Sequence, residues 1–370
     1  MDEFFHKIQM NLFQENKDRL YGDHLYTLLH HANIMEKCRF SIKKNIKIDA
    51  TSKREDTKYF DLDIQNGIID ATKSCDQLMI HFINRTITIN FISINGNKIE
   101  MNDYIEYLLL WFKLMNAIAN KENNKHLTVT IYATPYKKVF PDDTTSPLTS
   151  KHINSAFTYP CRESGTILIY REEEWFKVLL HESIHSFCLD FSLMVQDVIR
   201  DAFRVNNIVG TYVSDPAYSE TYTELWAELL QAALLSFFQA GDKELFSLYF
   251  DFYCQLEYIH SVTVVRSILD HYSLSFNELR EKHHIDQTTH VFEYYILKCI
   301  LLSDYNAFLE WCLKRNGHNM IPFHQTERTC VAFCDLINQC FVKCNFDEIK
   351  RRLPPHFNCN TLAMSLIEIV

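Results

Sequence analysis

Apolar positions follow two rhythms along this chain, and the change of rhythm divides it. From Phe4 to Leu29 they recur at three- and four-residue intervals, which predicts a helix. The polar run that follows, KKNIKIDATSKREDTKYFD, predicts a surface connection. Met79–Phe82 and Thr86–Ile94 then alternate apolar and polar residues and are rich in β-branched side chains. They predict two strands turning at Asn84–Arg85. Asn102–Ala119 returns to helical spacing, Leu127–Ala133 is a further strand, and Val139–Pro160 is a loop long enough to suggest a functional role. The short strand Thr166–Tyr170 leads into a helix from about Glu172 to Ser192. Glu172, Glu173 and Glu174 would sit in its first turn, where carboxylates favour the positive end of the helix dipole. Ser219–Phe238 is a second helical segment. Beyond residue 240 the pattern is almost wholly helical, with breaks near Gly241, Asn316–Gly317 and Pro354–Pro355. The expected class is α+β: a helical N-terminal extension (1–75), a mixed α/β core (76–240) and a helical C-terminal subdomain (241–370).

Composition narrows the function. The chain has 370 residues, 47% hydrophobic and 23% charged, as ordinary globular proteins do. With Lys+Arg 37 against Asp+Glu 47 the net charge is −10, which argues against broad nucleic-acid binding. No apolar run approaches the roughly 18 residues of a membrane span. The N-terminus lacks the basic-then-apolar design of a secretion signal. These features predict a cytoplasmic protein in a reducing compartment, whose 12 cysteines are mostly free thiols. Cys188 is expected in the core. Cys330, Cys334, Cys340 and Cys344, at helical spacing, predict core thiols and not a zinc knuckle.

One constellation carries chemistry. His181-Glu182-Ser183-Ile184-His185 places two histidines at i and i+4 on one helical face, where both can reach a single Zn²⁺. Glu182 would then point at the water activated by the ion and accept its proton. Downstream, Glu220, Glu224 and Glu228 form a strict i, i+4 stripe among Leu225, Trp226, Ala227, Leu229 and Leu230. Like charges one turn apart repel, so a cation among them would explain the arrangement. Asp190 either orients a ligand or caps the helix end; the plainer reading is the cap. Tyr212, Tyr218, Tyr222 and His260 are candidate oxyanion donors or packing residues, with Tyr218 taken as the catalytic candidate. His283, His284 and His290 fall in a polar stretch and are expected to be solvated.

HESIH followed by Glu224-Leu-Trp-Ala-Glu228 resembles the gluzincin clan of zinc metallopeptidases. The stretch around HINSAFTYPC and ILIYREEEWFKVLLHESIHSFCLDF also resembles uncharacterised HExxH proteins of large nucleocytoplasmic DNA viruses. The likeness covers about residues 150–240. It implies a zincin-like core, with Zn²⁺ held by His181, His185 and Glu224, and with Glu220 as the alternative ligand. Glu228 would orient a ligating histidine from behind, and a peptide or protein would be the substrate. Such a substrate would pair in extended form with Thr166–Tyr170 and Asn154–Cys161. The viral likeness implies residence in the host cytoplasm or the virion. Two rival functions are a structural or partner-binding protein on an inactive zincin scaffold, and a zinc hydrolase acting on something other than peptides.

Overall fold

The computed structural model describes residues 20–46, 60–143, 146–194, 217–280, 289–352 and 361–369. Residues 4–19 of the first predicted helix, most of the polar run after residue 43, Tyr212, His283, His284 and the Pro354–Pro355 break lie outside them.

The fold is mixed α+β, with one sheet and a helical C-terminal part. Helix α1 (Leu20–Met35) is followed by β1 (Arg39–Ile46), α2 (Leu62–Ile69), β2 (Lys73–His81) and β3 (Thr86–Ile94). A 3₁₀ turn then opens α3 (Ile105–Ile118), and β4 (His126–Ala133) follows. The short α4 (Ser150–Ile153) and the strands β5 (Ala156–Thr158) and β6 (Ser164–Ile169) complete the sheet, in the order β1-β2-β3-β4-β6-β5. Strands β3, β4 and β6 are parallel; β1 and β2 at one side and β5 at the other are antiparallel.

Alternation in β3 gives the sheet its two faces. Ile87, Ile89 and Phe91 pack with Leu127, Val129 and Ile131 and with Ile167 and Ile169 into the main core, under Trp111 and Phe112 of α3. Ile92 and Ile94 point the other way, with Tyr132, Leu168 and Tyr170, and are covered by Ile64 and Ile68 of α2. Burial of each such side chain contributes about 1.5–3 kcal/mol. The main core runs without a break from Leu25 of α1 to Ile369.

After the sheet come α5 (Trp175–Ser186), α6 (Tyr218–Gln239) and α7 (Lys243–His271). A π-helical stretch, Phe292–Leu297, runs into α8 (Lys298–Leu302); α9 (Tyr305–Asn316), α10 (Glu327–Lys343) and α11 (Phe346–Arg352) follow. Among the described residues no helix is long and apolar enough to cross a membrane. Residues 361–369 are not helical. They thread back into the core through bonds from Tyr295 to Leu362 O, from Lys298 to Met364 O and from the Ile367 N–H to Glu257.

Several expectations are corrected here. Lys43–Ile46, read as surface connection, ends strand β1, where the alternation of Phe40 and Ile42 stops at Lys43-Lys44-Asn45. The loop 139–160 contains α4 and β5. Helix α5 is shorter than expected at both ends, because Glu174 (φ 57°) and Cys188 (φ 64°) are left-handed and stop it. The acidic triplet does not cap the helix. Glu172 accepts from Asn97, Glu173 from the Lys138 N–H, and Glu174 is buried in an ion pair with Lys138 at 2.8 Å. Cys188 is not a free core thiol but is disulfide-bonded to Cys161. The thiols Cys330, Cys334 and Cys340 are buried and free, as their helical spacing predicted.

Candidate metal centre

The site forms where α5 lies against α6. Helix α5 presents Lys177, His181 and His185 at four-residue intervals, and α6 answers with Glu220 and Glu224. Lys177 bonds Glu224, and His185 meets Glu220. The numbering therefore rises along one helix as it falls along the other, and the helices cross antiparallel. Ser186 at the end of α5 is fixed to the sheet by Asn124, whose amide donates to its hydroxyl at 3.0 Å. Gly165 of β6 makes room for that asparagine, since a Cβ there would lie 1.9 Å from Asn124 Oδ1.

Three atoms converge. His181 Nε2 and His185 Nε2 are 3.1 Å apart, and Glu220 Oε2 lies 3.2 Å from the first and 3.1 Å from the second. Donors held at ~2.0–2.1 Å by a tetrahedral ion stand about 3.3 Å from one another, so the triangle is nearly of coordination size. The outward ring nitrogens are committed. His181 Nδ1 is 2.8 Å from Glu224 Oε2, and His185 Nδ1 is 2.6 Å from Asp190 Oδ2. Each Nδ1 must carry the proton to donate to its carboxylate, which leaves each neutral ring a lone pair on Nε2. With both rings neutral, two lone pairs and a carboxylate oxygen would face one point. Such a buried cluster, His181–His185–Glu220, can hold a metal ion.

Electrostatics agree with the geometry. Burial disfavours the charged form of His185, but Glu220 and Asp190 outweigh it and hold its pKa well above the ordinary value. His181 is likewise raised, against burial, by hydrogen bonds to Glu220 and Glu224. Glu220, although buried, is held well below the usual carboxylate range by His185 and His181. Without an ion the carboxylates thus favour protonated rings, and a cation at the shared point would take the place of those protons.

The stripe on α6 is thus engaged one turn earlier than its preferred assignment. Glu220, the alternative, is the glutamate that meets both histidines. Glu224 stands behind His181, the role expected of Glu228, and its other oxygen takes Lys177. Glu228 is a turn too far. It pairs instead with Lys298 at 2.7 Å, and Glu228 in turn raises the pKa of the Lys298 ammonium against its burial. Asp190 is no mere cap, because it holds His185.

Glu182 is half-buried and lines a small cavity of about 60 Å³ with His181, Glu224, Ser155, Ala156, Met364 and Tyr294. Burial raises its pKa, opposed by the two histidines. Tyr218 is not in this cavity; the acid that most affects it is Glu293. Tyr222 hydrogen-bonds Ile321 O among Phe191, Phe308, Phe323 and Phe333, and His260 is 2.9 Å from Ala363 O. The phenol at the site is Tyr294, which sequence reasoning missed. It lies in the π-helical stretch, 5.8 Å ring to ring from His181, and hydrogen-bonds Glu220. Only its placement in a π-turn, a frequent mark of function, distinguishes it, and that is invisible in sequence.

Strand β6 is flanked on both sides, by β4 and β5, so it has no free edge for a peptide. The sheet's edge on this side is β5, whose Ala156 lines the cavity. Comparison of the chain with family models, with curated proteins and with solved structures gives no match.

Proposed function

We propose that the protein is a zinc-dependent peptidase of gluzincin type. The observation that carries this is the convergence of His181 Nε2, His185 Nε2 and Glu220 Oε2 at 3.1–3.2 Å from one another. A borderline-soft ion taking two imidazoles and a carboxylate, with an open fourth position, fits Zn²⁺. When bound, it supplies Lewis acidity and brings the pKa of a coordinated water toward ~7.

The chain's own residues divide the remaining work. Glu182, raised by burial, accepts a proton at its carboxylate and returns it to the leaving amine. Tyr294, neutral and beside the site, would turn its single O–H from Glu220 to the developing oxyanion. Glu224 and Asp190 fix the orientation of the two imidazoles. The outer edge of β5 offers an extended peptide a strand to pair with, beside Glu182. By the resemblance noted above, the host cytoplasm or the virion is the place of action.

The test is Glu182→Gln in the zinc-loaded full chain, assayed on a peptide library. Hydrolysis should fall at least ~10²-fold with zinc content unchanged; undiminished cleavage contradicts the mechanism. A second reading, a metal-holding interaction scaffold without activity, is favoured by the narrowness of the cavity, which Lys138 and Met364 help to close. Stoichiometric zinc with no cleavage of any library member would favour it.

A further inference from the structure

The cysteines divide into two populations. Of the described free thiols all but Cys38 and Cys344 are buried, and burial pushes Cys75 and Cys330 up to about 11 and Cys340 up to about 12. Thiols so protonated are poor nucleophiles. The Cys161–Cys188 disulfide differs in that both residues are half-buried, within reach of a reductant. It also joins the two walls of the candidate metal site. Cys188 lies three residues after the ligand His185 and two before Asp190, which holds that ligand's Nδ1. Cys161 lies in the turn between β5, whose Ala156 lines the cavity, and β6.

Both residues are non-glycine and left-handed, at φ 60° and 64°, a conformation the surroundings must enforce. Among the described residues the turn is otherwise tied to the end of α5 by the Cys161 N–H to Ser186 O bond at 3.2 Å and through Asn124, whose backbone N–H donates to Arg162 O and whose amide donates to the Ser186 hydroxyl. Asp190 depends on the same short segment. Its Oδ1 takes the Ser192 hydroxyl and its carbonyl takes Gln325, so its carboxylate is aimed by the path of residues 187–192.

We propose that Cys161–Cys188 is a redox-reactive site that sets how tightly the His181–His185–Glu220 cluster retains its ion, through the placement of Asp190. The inference rests on the metal reading above but not on peptidase activity. With a dithiol reductant, one thiolate attacks a sulfur of the bond and releases the other as a thiolate, which takes a proton. The reductant's second thiol then displaces the remaining cysteine and closes its own disulfide. Two protein thiols and one oxidised dithiol result. Without the cross-link, residues 187–192 lose their covalent tie to the β5–β6 turn, and Asp190 fixes the His185 ring less firmly.

The experiment measures zinc affinity of the full chain by competition with a chromophoric chelator, before and after reduction. A phosphine is used because a dithiol would itself bind zinc; it takes the oxygen of a water as phosphine oxide while the sulfurs take the hydrogens. Reduction should weaken zinc binding about 10–100-fold, the usual effect of losing an outer partner of a ligating histidine. Asp190→Asn in the oxidised protein should weaken it similarly, and reduction should add little. Cys161→Ser/Cys188→Ser should match reduced protein and ignore the phosphine; thermal melts check that each variant is folded. Equal affinity in both redox states, or a phosphine response in the double variant, overturns the inference while leaving the metal reading intact. No zinc binding in either state overturns both. Redox-dependent zinc retention without any peptide cleavage supports the inference and removes only the peptidase reading.

Discussion

At the residue scale, the site is governed by which nitrogen of each histidine is already engaged. Glu224 and Asp190 take the Nδ1 protons of His181 and His185, and Glu220 lies between the two Nε2 atoms. The three glutamates of α6 should therefore respond differently to substitution. Glu220→Ala should abolish stoichiometric zinc, and Glu224→Gln should weaken binding about 10–100-fold. Glu228→Gln should leave it unchanged, all three being read by chelator competition. Tyr294→Phe should retain zinc and lower kcat about 10²-fold, whereas Tyr218→Phe should leave kcat unchanged. The linkage to pH has a definite sign. Without metal, His181 and His185 have folded pKa values raised above ~6.5, so their contribution to stability is full below that value and is lost as pH rises through the folded pKa. With metal the rings are held unprotonated and the slope reverses. The difference in Tm between zinc-loaded and zinc-free protein should widen from about pH 6 to about pH 8; a constant difference would contradict the assignment. The HExxH pair was legible because its spacing specifies a helical face. Which glutamate meets them was not, because Glu220, Glu224 and Glu228 repeat every turn, and only the crossing of α5 on α6 decides which turn faces both histidines.

Among elements, legibility follows burial. Strand β3 and helix α3 were readable because their apolar periods match their buried faces. Strand β1 alternates only at Phe40 and Ile42 before three polar residues, and β5 has only three residues. The ends of α5 were misplaced because Glu174 and Cys188 end it through left-handed backbone, not through a glycine or a capping side chain. The buried ion pairs around α6 are likewise beyond sequence pattern. Lys298 and Glu228 are each about 1% exposed, and Lys298 also holds Met364 O of the returning C-terminal segment. Lys298→Met leaves a carboxylate in the core without its cation and should cost about 3–5 kcal/mol, read by denaturant unfolding. The double change Lys298→Met/Glu228→Leu should recover most of it. An unaltered midpoint in the single variant would mean that Glu228 is already neutral.

For the whole molecule, the informative feature is that sheet, site and C-terminal segment share one core. Residues 361–369 close the structure beside the site, with Met364 lining the cavity and Leu366 and Ile367 bonded through their N–H groups to Glu257. A division at residue 240 could not have anticipated this, since such contacts join positions more than a hundred residues apart. Substituting Glu257→Ala should leave those N–H groups without their acceptor and destabilise the protein by roughly 1–3 kcal/mol, with earlier proteolysis of the C-terminal segment. The central claim concerns a single point in this core. Crystals of the zinc-loaded chain measured at the zinc absorption edge should give one strong anomalous peak, ~2.0–2.2 Å from His181 Nε2, His185 Nε2 and a Glu220 oxygen. A peak elsewhere, or none at that point with zinc present in excess, contradicts the account.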